Sequence, residues 1–157
     1  MTDEDAMRRA IAIGRANPTS PIGCVIIRDG QVLAEGHNEV DTAHDPTAHA
    51  EIVTIRRACE ALGADELRGA TLYSTLQPCG MCSMASIWAK IGRIVYGAER
   101  DQVHKMYFED RHFDTMDFIR DAFRDDLSLT GGVLSQSCAA LYHQPGEDVP
   151  ETEQGNI

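Results

Sequence analysis

"GATLYSTLQPCGMC", residues 69–82, is the stretch on which the fold turns. Its first half is a run of apolar and β-favouring residues bounded by Gly69 and Pro78, which reads as a buried strand. Its second half starts with that proline, placed where a helix tolerates one best, and then carries two cysteines three residues apart. A strand running straight into a helix is one unit of a layered α/β architecture. The cysteine pair, Cys79 and Cys82, admits three meanings on its own: a redox pair, half of a metal site, or two small apolar residues on a helix.

Outward from that junction, the helix is predicted to run to Gly92 and to be followed by a strand in "RIVYGA", residues 93–98. Upstream, "HDPTAHAEIVTIRRACEALG" predicts a helix from about Thr47 to Leu62, with Ile52, Ile55, Cys59 and Leu62 as its buried stripe and Gly63 as its stop. "IGCVIIRDGQVLAEGHN" predicts two strands, from Cys24 to Ile27 and from Gln31 to Glu35, joined by a hairpin turn at Asp29-Gly30. A leading helix over residues 4–16 buries Met7, Ala10 and Ile11 and is stopped by "NPTSP". Residues 101–126 read as an insertion of short helices, "LSLTGGVL" as a last strand and "SQSCAALYH" as a closing helix. The expected organisation is a single domain over 1–144 and an acidic, mobile tail over 145–157.

Composition narrows the function classes. At 157 residues there is room for one well-filled core. No apolar run approaches the roughly 20 residues of a membrane span, and the amino terminus is acidic, so a soluble cytoplasmic protein without a membrane partner is expected. Five scattered cysteines fit a reducing compartment and leave thiols free for metal. The net charge of −11 is uneven: residues 99–157 hold 13 Asp and Glu against 5 Lys and Arg, whereas residues 1–98 hold 12 against 9. Such a surface repels polyphosphate, which argues against a nucleic-acid partner.

The meaning of the cysteine pair is decided by "TAHAE", residues 47–51. There His49 and Glu51 stand at the start of another helix, and two helix N-termini at one edge of a sheet can converge on a single ion. His49, Cys79 and Cys82 supply one nitrogen and two sulfurs, leaving the fourth tetrahedral position of a Zn2+ cofactor to water, the pattern of a catalytic site. Glu51 is then placed as a general base and not as a ligand. The alternative is a non-catalytic zinc-binding module in which His44 or another donor closes the site.

"HAE" followed by "PCGMC" on the second of two helices resembles the zinc-dependent cytidine deaminase superfamily. The resemblance implies a three-layer α/β/α fold around a five-stranded mixed sheet, hydrolytic removal of an exocyclic amine, and a homodimer. It also implies substrate contacts from Asn38, at the end of "EGHN", and from Ala50, between the ligand and the base. For Asn38 the competing role is a turn asparagine bonded to backbone. Within the superfamily, "HDPTAHAEI" and "GGVLSQSCAALY" are similar to tRNA adenosine deaminases, whereas "SIWAK" and "FDTMDFIRDAF" are similar to guanine deaminases. Asp114 and Asp117 in the latter stretch are candidates to accept N1–H and N2–H of guanine. The expected substrate is therefore a small nucleobase or nucleoside, guanine or a related purine, with tRNA adenosine as the alternative and cytosine less favoured. Trp88 is expected to fill the core, and Gln77 has no role assigned.

Overall fold

The computed structural model describes residues 1–107 and 126–153. A five-stranded sheet of order β2-β1-β3-β4-β5 runs through it. Its strands are β1 (Gly23–Arg28), β2 (Gln31–His37), β3 (Thr71–Leu76), β4 (Arg93–Ala98) and β5 (Ser128–Thr130). β1 pairs antiparallel with both β2 and β3, while β3, β4 and β5 are parallel, so the sheet is mixed as expected. The hairpin between β1 and β2 turns where the sequence placed it. Asp29 and Gly30 have φ of 53° and 76°, the two left-handed positions of a turn that follows the right-handed twist of its strands.

Helices cover both faces of the sheet. α1 (Asp3–Gly14) packs on β1 and β3 and buries Ala6, Met7, Ala10 and Ile11. Its close approach to the start of β1 requires Gly23, where a Cβ would overlap the Ala10 carbonyl oxygen. A short turn of helix, α2 (Val40–Ala43), follows β2 and leads into α3 (Ala50–Leu62) on the other face, which packs on β2 and β1 beside α4 (Gly80–Trp88). α5 (Ser135–Ala139) lies against β4 and β3. Cys138 there sits so close to Gly97 that a Cβ on that glycine would clash with its sulfur. The result is the three-layer α/β/α arrangement.

Three sequence expectations are corrected. The most buried line of α3 is Ala50, Thr54 and Ala58, while Ile55, Cys59 and Leu62 pack around the rim of the core. Small residues occupy the centre because α3 crosses β2 closely, and a Cβ on Gly36 would meet the Thr54 hydroxyl at 2.9 Å. α4 ends at Trp88, and Lys90, with φ of 58°, takes the left-handed position that Gly92 was expected to fill. Trp88 is 75% exposed and is not a core residue. α4 turns Cys82, Ser83, Ser86 and Ile87 inward, and the next position along a helix points about 100° away from Ile87. Asp114 and Asp117 lie outside the described residues.

Strand parity decides which side chains meet which layer. On β3, Tyr73 faces α1, where its hydroxyl donates to Asp3. The next residue, Ser74, points to the α3 face, as does its register partner Cys24 on β1. Thr75 returns to the α1 face, accepting from Gly23 N–H and bonding the Tyr142 hydroxyl at 2.6 Å. A polar group at the centre of this sheet therefore belongs to one face or the other.

Candidate metal centre

The site forms where the N-termini of α3 and α4 meet beyond the end of β3. His49 is the N-cap of α3 and Cys79 the N-cap of α4, and neither side chain caps its own helix. An N-cap is normally Ser, Thr, Asp or Asn, whose oxygen turns back onto the first-turn N–H groups. Histidine and cysteine in those places turn their side chains toward one another instead, with His49 Nδ1 and Cys79 Sγ 3.6 Å apart. Cys82 and Glu51 sit in the first turns of the same two helices, where the positive ends of the helix dipoles favour negative charge.

The approach to His49 is held by local bonds. Asp45 Oδ1 accepts from both Thr47 N–H and the Thr47 hydroxyl, and Glu39 N–H donates to Ala48 O. These tie the loop to the end of β2. On the other side, Gln77 N–H donates to Ala98 O while its side-chain oxygen accepts from Arg100 N–H. The role the sequence left unassigned is thus to fasten the approach to Cys79 onto the segment that follows β4.

His49, Cys79 and Cys82 each offer one ligand atom, and these atoms lie within 4.8 Å of one another. His49 Nδ1 is 3.6 Å from the sulfur of Cys79 and 3.6 Å from that of Cys82. With Zn–N near 2.0–2.1 Å and Zn–S near 2.3 Å, a tetrahedral angle predicts an N···S edge of about 3.6 Å. The donor set therefore fits zinc in both type and spacing. His44, the proposed closing ligand of a structural site, is exposed at the end of α2 and is not part of this group.

Glu51 is buried at 4% exposure beside the three. Its Oε2 lies 3.4 Å from Cys82 Sγ, and its Oε1 accepts from the Ser74 hydroxyl at 3.0 Å. Burial pushes its carboxyl above the usual range, with the Cys79 charge adding to the push, while His49, its own backbone N–H and Ser74 oppose it. The Cys79 thiol is held down at about 4, first by the hydrogen bond from Cys82 and then by His49, against the effect of burial. Cys82 keeps its proton because it donates that bond and is buried. Metal binding requires that proton to leave.

Asn38 takes the turn role weighed for it in sequence. Its Oδ1 accepts from Val40 N–H, as a turn asparagine does, while its Nδ2 is buried without a hydrogen-bond partner among the described residues. Such an orphaned donor costs about 1–3 kcal/mol unless something else meets it. Ala50, the other expected contact, is fully buried, and its carbonyl accepts from Thr54. Ser74 was missed in sequence. The signal was present as a lone hydroxyl among the large apolar residues of "LYSTL", but its facing depends on register.

Residues 1–98 match the sequence profile of the cytidine and deoxycytidylate deaminase zinc-binding region. The chain is 40% identical over 114 residues to a guanine deaminase of Bacillus subtilis, covering 70% of this chain and 73% of that protein. It is 53% identical over 79 residues to a tRNA-specific adenosine deaminase of Agrobacterium fabrum, covering 50% of this chain and 52% of the other. A solved structure from work on A-to-I editing by tRNA:A34 deaminases superposes with a TM-score of 0.75 at 34% identity, over 87% of this chain and 98% of that one. Both the profile and the fold lead to one assignment: the chain belongs to the zinc-binding cytidine and deoxycytidylate deaminase family.

Proposed function

We propose that the chain is a guanine deaminase, replacing the exocyclic amine of guanine or a related free purine with oxygen and releasing ammonia. The observation that carries this reading is the 40% identity to the Bacillus subtilis enzyme over 114 residues. A net charge of −11 works in the same direction, because it favours a small uncharged base over a polyanion.

His49, Cys79 and Cys82 would hold the zinc. When bound, the ion supplies Lewis-acid chemistry, acidifying a coordinated water towards neutral pKa. Glu51 takes the proton of the attacking water and returns it to the ring nitrogen, and a second transfer lets the amine depart as ammonia. A carboxylate shut away from bulk solvent, with its affinity for protons raised by burial, suits both directions of that transfer. The Nδ2 of Asn38, without a partner among the described residues, offers a donor to an acceptor on the base. Asp114 and Asp117 are proposed on sequence alone as acceptors for its N–H edge.

A second reading, tRNA adenosine deamination, is favoured by the 53% identity around the zinc region and by the 98% coverage of the tRNA:A34 deaminase structure. Ammonia release from guanine, adenine, cytosine and their nucleosides, run beside inosine formation in a tRNA anticodon stem-loop, separates the two. Turnover of guanine with no inosine supports the proposal, and the reverse result replaces it. Homodimerisation is proposed through the exposed edge of α4, where Met81 and Trp88 stand seven residues apart on one side of the helix. Light scattering of Trp88→Glu against the unaltered chain tests it.

A further inference from the structure

We propose that Ser74 is a positioning residue for Glu51, holding Oε1 so that Oε2 is the oxygen that carries the proton. The inference rests on the reading of Glu51 as proton carrier and adds a residue to it. Three observations support it. Ser74 is fully buried in β3, and its hydroxyl donates to Glu51 Oε1 at 3.0 Å. The other carboxylate oxygen is the one directed to the metal ligands, 3.4 Å from Cys82 Sγ. Two other hydroxyls of this part of the sheet and α3 are engaged elsewhere: Thr75 bonds Gly23 and Tyr142 on the opposite face, and Thr54 donates to Ala50 O.

The chemistry of one hydroxyl explains why this arrangement serves a proton cycle. Ser74 has a single proton to give, and Oε1 accepts it whether the carboxylate is ionised or protonated on Oε2, since Oε1 is then a carbonyl oxygen. The bond therefore survives both halves of the cycle, and the carboxylate need not rotate between taking a proton and returning it. Without Ser74, Oε1 would be held less firmly and the buried carboxylate would lose a charge-assisted bond, which is about twice as strong as a neutral one.

The test compares Ser74→Val with Ser74→Thr, two side chains of nearly equal volume of which only the second keeps a hydroxyl, with Ser74→Ala as a third variant. Infrared difference spectra of the metal-free full chain against Glu51→Gln isolate the Glu51 carboxyl band. That band should shift in Val and Ala and stay in place in Thr. In the zinc-loaded protein assayed with guanine, Val and Ala should lose about 10- to 100-fold in kcat with KM within about twofold. Thr should recover most of the rate, and zinc content should be unchanged in all three. An unshifted band in Val and Ala, or equal rate losses in Val and Thr, overturns the role of Ser74. If those occur while Glu51→Gln is inactive, the reading of Glu51 stands without it. An active Glu51→Gln removes both.

Discussion

Tyr73 and Ser74 are neighbours in one strand, yet they end in polar clusters of opposite character. On the α1 face, Asp3 receives two bonds from Arg93 at 2.8 and 2.7 Å and one from the Tyr73 hydroxyl, and Arg93 also reaches Thr130. One cation meets one anion at the rim, and each is a third exposed. On the α3 face, Glu51 and the two cysteines have as side-chain partners, among the described residues, one another, His49 and Ser74, none of them Lys or Arg. Acidic groups gathered there in the dry interior cost several kcal/mol each when charged. The first cluster is complete in itself and ties α1 to the sheet. The second groups the donors that a zinc ion takes, and the same strand serves both because successive side chains leave it on opposite faces.

The sharpest way to break that contrast is to remove a ligand. Cys82→Ala should bring tightly held zinc from about one per chain to near none by elemental analysis after dialysis, and turnover should vanish with it, since three protein ligands leave no reserve. Full zinc in that variant would mean that the second cluster is not a metal site.

A smaller but still large effect is expected from Glu51→Gln, which keeps shape and removes the capacity to carry a proton. Turnover should fall about 10²-fold or more, with zinc content and melting temperature close to those of the unaltered chain. Retention of near-normal kcat would reduce Glu51 to a neighbour of the ligands.

The smallest effect belongs to the self-contained cluster. Asp3→Asn should lower stability at pH 7 by about 1 kcal/mol, a few degrees in melting temperature, and leave zinc content untouched. Its pH dependence has a definite sign. Hydrogen bonds from Arg93, with a further contribution from Tyr73, hold the Asp3 carboxyl below its ordinary value of 3.8 against the effect of burial. A depressed carboxyl stabilises the fold fully above the unfolded value, and that contribution is lost as pH falls through the folded one. The gap between Asp3→Asn and the unaltered chain should therefore close in acid. A gap that persisted below the carboxylate range would point to lost packing instead of a lost ion pair.

Elements with local causes were legible in advance. The hairpin at Asp29-Gly30, the α3 stop at Gly63 and the junction of β3 with the cysteine helix follow from residues within a few positions of each feature. The grouping of three metal-type donors was legible for a related reason. His49, Cys79 and Cys82 stand at helix starts, and helix starts are marked in sequence by what precedes them. The misjudged features depend on distant packing. Trp88 was expected inside, yet which side of α4 turns inward is set by how that helix packs beside α3, not by the hydrophobicity of one indole. The apolar stripe drawn for α3 missed Ala50, Thr54 and Ala58 at its centre, because the closeness of β2 at Gly36 selects small side chains that hydrophobic periodicity does not single out.

What the sequence alone determined is therefore the chemistry available: one imidazole and two thiols at two helix N-termini, a carboxylate two residues from the imidazole, and a net charge of −11. Those are properties of residue type and short spacing. Tertiary structure alone decided how they are used. It brought the 30 residues' separation of His49 and Cys79 down to 3.6 Å, and it assigned Ser74 to Oε1 of Glu51. It also divided the Asn38 amide between a turn and an unanswered donor, and gave Gln77 its hold on Arg100. Each of these depends on strand register and helix crossing, where a shift of one residue reverses the face of every side chain, and no local pattern records that parity.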